Sequence, residues 1–416
     1  MSSEKGGLIP IAKPCMGEQE AEAARRAILS GWVTQGPEVA AFEGEFAALV
    51  GAKYACAVSS CTTGLHLALL AVGVRQGDEV ITVSHSFVAT PNSIRYCGAV
   101  PVFVDVEPGT FNMNAELIER AISGRTRAIL CVHQVGMPCN LSAILSIARK
   151  HKLPVVEDAA CAIGSEILWD NNWEKIGKPH GDIACFSFHP RKVISTGEGG
   201  MITTSNSEWD NRIRLWRHQG MSVADTARHQ AKEVISESYP VLGYNYRMTD
   251  IQAAIGREQL KRLPKLIERR RACARRYRRR LADVPLLKLP EEPPWAKSNW
   301  QSYCVRLPDR CDQRQVMQDM LTAGIATRRA VMCAHRETAY EREPWSCKTN
   351  SAACGCSSGT CACLSESEKA QDHAILLPLF HQMTNADQDK IVMTLTASIL
   401  AHTAVGEAET KSMAIG

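Results

Sequence analysis

Lys192 stands in Ser187-Phe188-His189-Pro190-Arg191-Lys192, shortly before the glycine run Gly197-Glu198-Gly199-Gly200. A primary amine beside a hydroxyl and a tight glycine turn can hold a carbonyl cofactor as a Schiff base. Upstream, Val155-Val156-Glu157-Asp158-Ala159-Ala160 has the composition of a buried strand ending on two carboxylates, and strand ends are where α/β sheets place ligands. A lysine and an aspartate so placed suit pyridoxal phosphate (PLP). The lysine would carry the aldehyde, and the aspartate would keep the pyridine nitrogen protonated so that the ring accepts electrons. The plainer alternative is a surface lysine and a helix-capping aspartate.

A third segment supplies an anion site. The apolar run Tyr54 to Val58 gives way at Ser59-Ser60-Cys61-Thr62-Thr63-Gly64 to a helical pattern carrying Leu65, Leu67, Ala68, Leu69 and Leu70. Free N–H groups at a helix start, with hydroxyls beside them, bind phosphate. The same residues would also serve as an ordinary helix cap.

Five ordered segments resemble the DegT/DnrJ/StrS family of sugar aminotransferases, of the aspartate-aminotransferase fold type I, over about Ile9 to Leu260 and weakly beyond. They are Gly31 to Pro37, Ser84-His85-Ser86-Phe87-Val88-Ala89-Thr90, Glu157 to Ala160, Ser187 to Gly200, and Gly243-Tyr244-Asn245-Tyr246-Arg247-Met248-Thr249-Asp250 with the four residues after it. The resemblance implies Lys192 as the Schiff-base lysine, Asp158 at the pyridine nitrogen, and Ser187, Ser60 and Thr62 around the phosphate. It implies Phe87 stacked on the ring and Asn245 reaching the phosphate of a neighbouring subunit, hence a homodimer with shared sites. His189, Arg328 and His335 are the candidate substrate contacts. Three positions depart from the family pattern. Cys61 replaces a frequent glycine and narrows the phosphate turn, Cys161 replaces a glutamine that approaches the cofactor hydroxyl, and Ile163 replaces a frequent histidine.

These residues need a rigid frame. Between Gly51 and Ser205, short β-branched runs at Tyr54–Val58, Asp78–Val83, Val100–Val104, Ala128–Val132, Leu153–Val156, Ile183–Phe188 and Met201–Thr204 alternate with helical patterns such as Leu141–Lys152. That alternation predicts an α/β fold with a mostly parallel seven-stranded sheet between helices. The pattern changes after Asp250. We expect a large PLP-binding domain over residues 1–250 and a smaller α/β domain over 251–416, with a cysteine-rich insertion near 347–363. The helix Ile251–Leu266 precedes an arginine-dense stretch with eight arginines between Arg269 and Arg280. Their spread around the helix, without an aromatic ladder, predicts a solvated face and not a nucleic-acid surface.

The chain has 416 residues and a formal charge of +4, too small for its size to indicate a nucleic-acid partner. No window approaches the about 18 apolar residues of a membrane span, and Met1 to Gly6 lacks a leader pattern, so a cytoplasmic protein is expected. Most of the seventeen cysteines lie singly in apolar runs, as Cys131, Cys185 and Cys304 do, and should pack as small hydrophobes. Cys347, Cys354, Cys356, Cys361 and Cys363 are crowded into a Ser/Gly/Ala-rich stretch. Four thiolates could hold zinc, but the C-x-C spacing is not that of a zinc knuckle. The expectation is a metal-free insertion with free thiols or a labile disulfide.

The functional expectation is transfer of an amino group from L-glutamate to a nucleotide-linked keto sugar, in amino-sugar biosynthesis for surface polysaccharide or a glycosylated metabolite. The alternatives are a PLP-dependent sugar dehydratase, in which a histidine replaces the Schiff-base lysine, and a regulatory or metal-sensing protein on the same fold.

Overall fold

A computed structural model of the chain describes residues 7–223, 228, 231–347, 356 and 359–413, with side chains to 403. The first nine strands are β1 (Tyr54–Val58), β2 (Glu79–Val83), β3 (Val100–Val104), β4 (Thr126–Val132), β5 (Val155–Asp158), β6 (Glu166–Trp169), β7 (Asn172–Lys175), β8 (Ile183–Ser187) and β9 (Gly200–Thr204). Seven of them form one sheet in the order β1-β9-β8-β5-β4-β2-β3. The pairs from β8 across to β3 are parallel, and β9 alone runs against its neighbours. The carboxyl ends of β1, β2, β5 and β8 therefore share one edge with the start of β9. Apolar side chains are buried on both faces of the sheet, as a parallel sheet under two helix layers requires.

β6 and β7 form a hairpin outside this sheet, paired to β10 (Ala296–Lys297). A third sheet joins β11 (Tyr303–Arg306), β12 (Arg328–Arg329) and β13 (Ala374–Leu377) in the order β11-β13-β12. With helices Gln313–Thr322 and Asn385–Met413 nearby, its core gathers Ile9, Tyr277, Tyr303, Val316, Ile325, Leu377 and Leu395.

The two cores share one helix. Asp250–Leu281 runs unbroken for 32 residues through Pro264, so the sequence boundary at Asp250 marks the start of a common element. Thr249 caps it, its Oγ1 accepting from Gln252 N at 3.2 Å while Gln252 Oε1 accepts from Thr249 N at 3.0 Å. Ala253, Leu260, Leu263 and Ile267 pack in the large core, whereas Cys273, Ala274, Tyr277 and Leu281 pack in the small one.

The arginine-dense half is not simply a solvated face. Arg270 is buried and donates to the carbonyls of Trp300, Gln301 and Leu379. Arg269 donates to His381 and Met383, and Arg271 to Ser298. Burial pulls the Arg270 guanidinium down to about 10, which still leaves it charged at neutral pH. Arg270→Met should destabilise the protein by about 3 kcal/mol, because three carbonyls lose a charged donor at once. A denaturant midpoint matching that of the unsubstituted protein would refute this.

No helix among the described residues is long and apolar enough to cross a membrane.

Candidate active site

Strand alternation separates the paired carboxylates at the end of β5. Glu157 is fully buried in a structural network, taking Gly181 N at 2.9 Å and His133 Nε2 at 2.9 Å. Asp158 reaches the sheet edge. Its Oδ2 accepts from Thr90 Oγ1 at 2.7 Å and its Oδ1 from Ala160 N at 3.1 Å. Two fixed donors orient the carboxylate and leave it further lone pairs. Thr90 was quoted in the sequence only as the end of the segment after β2, and its role as the partner of Asp158 was not read there.

Beyond β8, the loop carrying Lys192 folds back on itself. Lys192 N donates to His189 O at 2.8 Å, His189 N approaches Ser187 Oγ at 3.4 Å, and His189 Nδ1 accepts from Arg191 N at 3.2 Å. Burial holds the His189 imidazole below its usual range, with Arg191 and Lys192 adding to the effect against Glu198. Lys192 Nζ lies 3.0 Å from Cys161 Sγ. Burial disfavours the ammonium, but Cys161, with Asp158 behind it, outweighs that and raises the lysine above its ordinary value.

Gly200 completes the frame. It pairs with Val58 on one side and Ser187 on the other, and a Cβ there would sit 2.6 Å from the Ser60 carbonyl and 2.7 Å from Cys61 N. Only glycine lets β9 pass this close to the turn after β1. In that turn Ser60 Oγ caps the helix Cys61–Ala71 by accepting from Thr63 N at 3.2 Å. The N–H groups of Cys61 and Thr62 find no acceptor among the described residues. Cys61 is buried, and burial followed by Asp158 drives its thiol well up, so it is a neutral packing group.

The other expected site residues are spread more widely. Phe87 follows β2 and is exposed. Asn245 is exposed and bridges to His218. Ile163 is buried in the large core. Arg328 is exposed on β12. His335 is fully engaged within the protein: Nδ1 meets Ser84 Oγ at 2.6 Å and Nε2 meets Glu368 Oε1 at 3.0 Å. Neither nitrogen is left for a ligand, so the imidazole braces its loop. Asn299, absent from the sequence reading, holds the turn after Asp158 by donating to the carbonyls of Cys161 and Ile163 at 2.8 and 2.9 Å.

The DegT/DnrJ/EryC1/StrS aminotransferase family matches the chain over residues 14–396. The chain belongs to that family. Among solved structures, the aminotransferase TlmJ from Streptoalloteichus hindustanus is 31% identical with a TM-score of 0.83, covering 95% of this chain and 100% of that one. DesV from S. venezuelae, solved in complex with a ketimine intermediate, is 28% identical with a TM-score of 0.83, covering 94% and 99%. Helicobacter pylori PseC, an aminotransferase involved in the biosynthesis of pseudoaminic acid, is 25% identical with a TM-score of 0.81, covering 95% and 100%. As a DegT/DnrJ/EryC1/StrS enzyme the protein is a PLP-dependent sugar aminotransferase of fold type I.

The residues present fit that cofactor. A helix start with two free N–H groups, an oriented carboxylate and a half-buried amine match the three polar ends of PLP: its phosphate, its ring nitrogen and its aldehyde.

The contact between Lys192 and Cys161 has a measurable consequence. Cys161→Ala removes the nearest group that raises the lysine, so Lys192 should titrate lower and more of it should be neutral at pH 8. Reconstitution of the cofactor-free enzyme with PLP should then speed up several-fold at that pH, and its acid limb should move to lower pH. An unchanged pH profile would remove Cys161 from the electrostatics of the site.

Proposed function

We propose that this enzyme moves an amino group from L-glutamate to the keto carbon of a nucleotide-linked sugar, in amino-sugar biosynthesis for surface polysaccharide or a glycosylated metabolite. The observation that carries this reading is the convergence of Lys192, Asp158 and the start of the helix Cys61–Ala71 on one sheet edge. The cytoplasm, where nucleotide-linked sugars are made, is the proposed compartment.

Bound PLP supplies an electron-accepting ring conjugated to the nitrogen that is exchanged. Asp158, oriented by Thr90 and Ala160 N, holds a proton on the ring nitrogen. Ser60, Thr62, Ser187 and the free N–H groups of Cys61 and Thr62 bind the phosphate. Phe87 would cover the ring, and Cys161 lies beside the amine. Once freed from the cofactor, the Lys192 amine takes the proton from the donor Cα. It returns a proton to the former keto carbon of the sugar in the second half-reaction. His189 and Arg328 are the proposed substrate contacts.

The enzyme is proposed to act as a homodimer. Support comes from the exposed apolar side chains Val234, Tyr239 and Leu242 in the stretch that leads in sequence to Asn245, the residue proposed to reach the partner's phosphate site. Co-expressing Asn245→Ala with Lys192→Ala should give hybrids with one site lacking both residues and one intact, hence about half activity per hybrid. Inactive hybrids, or an active monomer in light scattering, would contradict shared sites.

The acceptor is tested by mixing the pyridoxamine form with UDP-, dTDP- and GDP-linked keto sugars and following return of the PLP absorbance. Return with 2-oxoglutarate but with none of the sugars would overturn the proposed acceptor.

A further inference from the structure

We infer that Cys347, Cys356, Cys361 and Cys363 form a structural zinc site that fastens the insertion to the edge of the large sheet. The Sγ atoms of Cys347, Cys361 and Cys363 all lie within 4.8 Å of one another. Cys356 Sγ lies 3.2 Å from that of Cys347 and 3.4 Å from that of Cys361. A tetrahedral zinc with bonds of about 2.3 Å holds its sulfurs roughly 3.8 Å apart, so small outward movements would admit the ion. Three thiolates within reach of one point, with a fourth touching two of them, suit zinc or an iron–sulfur centre better than any hard cation. A site filled by four protein ligands has no open position for a reactant, which makes it structural. Cys354 lies outside the described residues.

The surroundings are built to hold this knot. Ser346 bridges to β3, with Phe103 N donating to Ser346 O at 2.6 Å and Ser346 N to Pro101 O at 3.0 Å. This places Cys347 directly after a main-chain tie to the sheet edge. On the other side of the cluster, Cys361 N donates to Glu368 Oε1 at 2.5 Å, and Arg336 donates to Gly359 O at 2.9 Å and to Glu368 Oε2 at 3.0 Å. Cys347, Cys361 and Leu364 are buried against Phe103 and Tyr340, whereas residues 348–360 contain no Leu, Ile, Val, Met or aromatic residue. The helix Ser365–His373 follows at once and is pinned to the large domain by Asp105, which accepts from Glu366 N and Ser367 N at 2.9 and 2.8 Å. Zinc would tie β3 to the helix that leads into β13.

The test uses the full-length PLP-loaded enzyme purified under reducing conditions. Elemental analysis should find about one zinc per chain, falling below about a tenth in Cys361→Ser and in Cys363→Ser. Cobalt(II) exchange into the unsubstituted protein should give tetrahedral ligand-field bands with thiolate charge-transfer intensity for four sulfurs, a readout that does not require the variants to fold. Chelation should lower the thermal midpoint while leaving the PLP absorbance in place, because no residue assigned to the cofactor lies in the insertion. Metal-free protein that takes up no cobalt, zinc that persists in both serine variants, stoichiometric iron in place of zinc, or a disulfide among these cysteines by mass spectrometry would each overturn the assignment.

Discussion

Lys192→Ala is expected to yield a folded protein that binds PLP weakly and without a covalent bond, and that has lost turnover by well over 10⁴-fold. One acid–base group accounts for about 10²–10⁴, and this substitution also removes the amine that carries the cofactor. The fold should survive, because the loop is held by main-chain bonds from Lys192 N and Thr196 N. Borohydride reduction followed by peptide mass spectrometry checks the covalent link at Lys192 in the unsubstituted enzyme and its loss in the variant. Near-normal transamination by the purified variant would show that another amine does the work.

Asp158→Asn should keep PLP yet slow turnover by about 10²–10⁴-fold, with KM moving little. A neutral amide cannot hold a proton on the ring nitrogen, so the ring loses most of its capacity to take up electrons from the substrate carbon. Ala160 N can still donate to the amide oxygen and Thr90 Oγ1 can accept from its NH₂, so stability should change only slightly. Single-turnover rates with L-glutamate measure the effect directly. Activity within a few-fold of the unsubstituted enzyme would require a different partner for the ring nitrogen.

Much of this frame was legible in the sequence because buried parallel strands are written in runs of β-branched and apolar residues. Val80, Ile81 and Val83 are buried in β2, and Val155 and Val156 in β5. The hairpin of β6 and β7 was not, since Glu166, Asp170, Asn171, Asn172 and Lys175 give it a polar composition, and its turn uses positive φ at Asp170 and Asn171. The helix Asp250–Leu281 read as two pieces because Pro264 and the arginine run obscure its period. Its interior arginines are satisfied by carbonyls distant in sequence, which local spacing cannot reveal. Thr90 and Asn299 escaped for the same reason: each acts across a long separation, on Asp158 and on the Cys161 turn. The four thiols converge through a fold-back that C-x-C spacing alone does not encode.

The smaller core draws on both ends of the chain. Ile9 N donates to Gly324 O, Ala326 N donates to Ile9 O, and Ile9 shares a core with Leu395 and Ile399. During synthesis the large sheet can therefore complete itself while residues near Ile9 wait for partners more than three hundred positions away. The small domain closes last, as a contact of very high order. A shortened chain beginning after Ile11 should keep its cofactor sheet and release the small domain first, so proteases would nick it near β11 and β13 before β4 and β5.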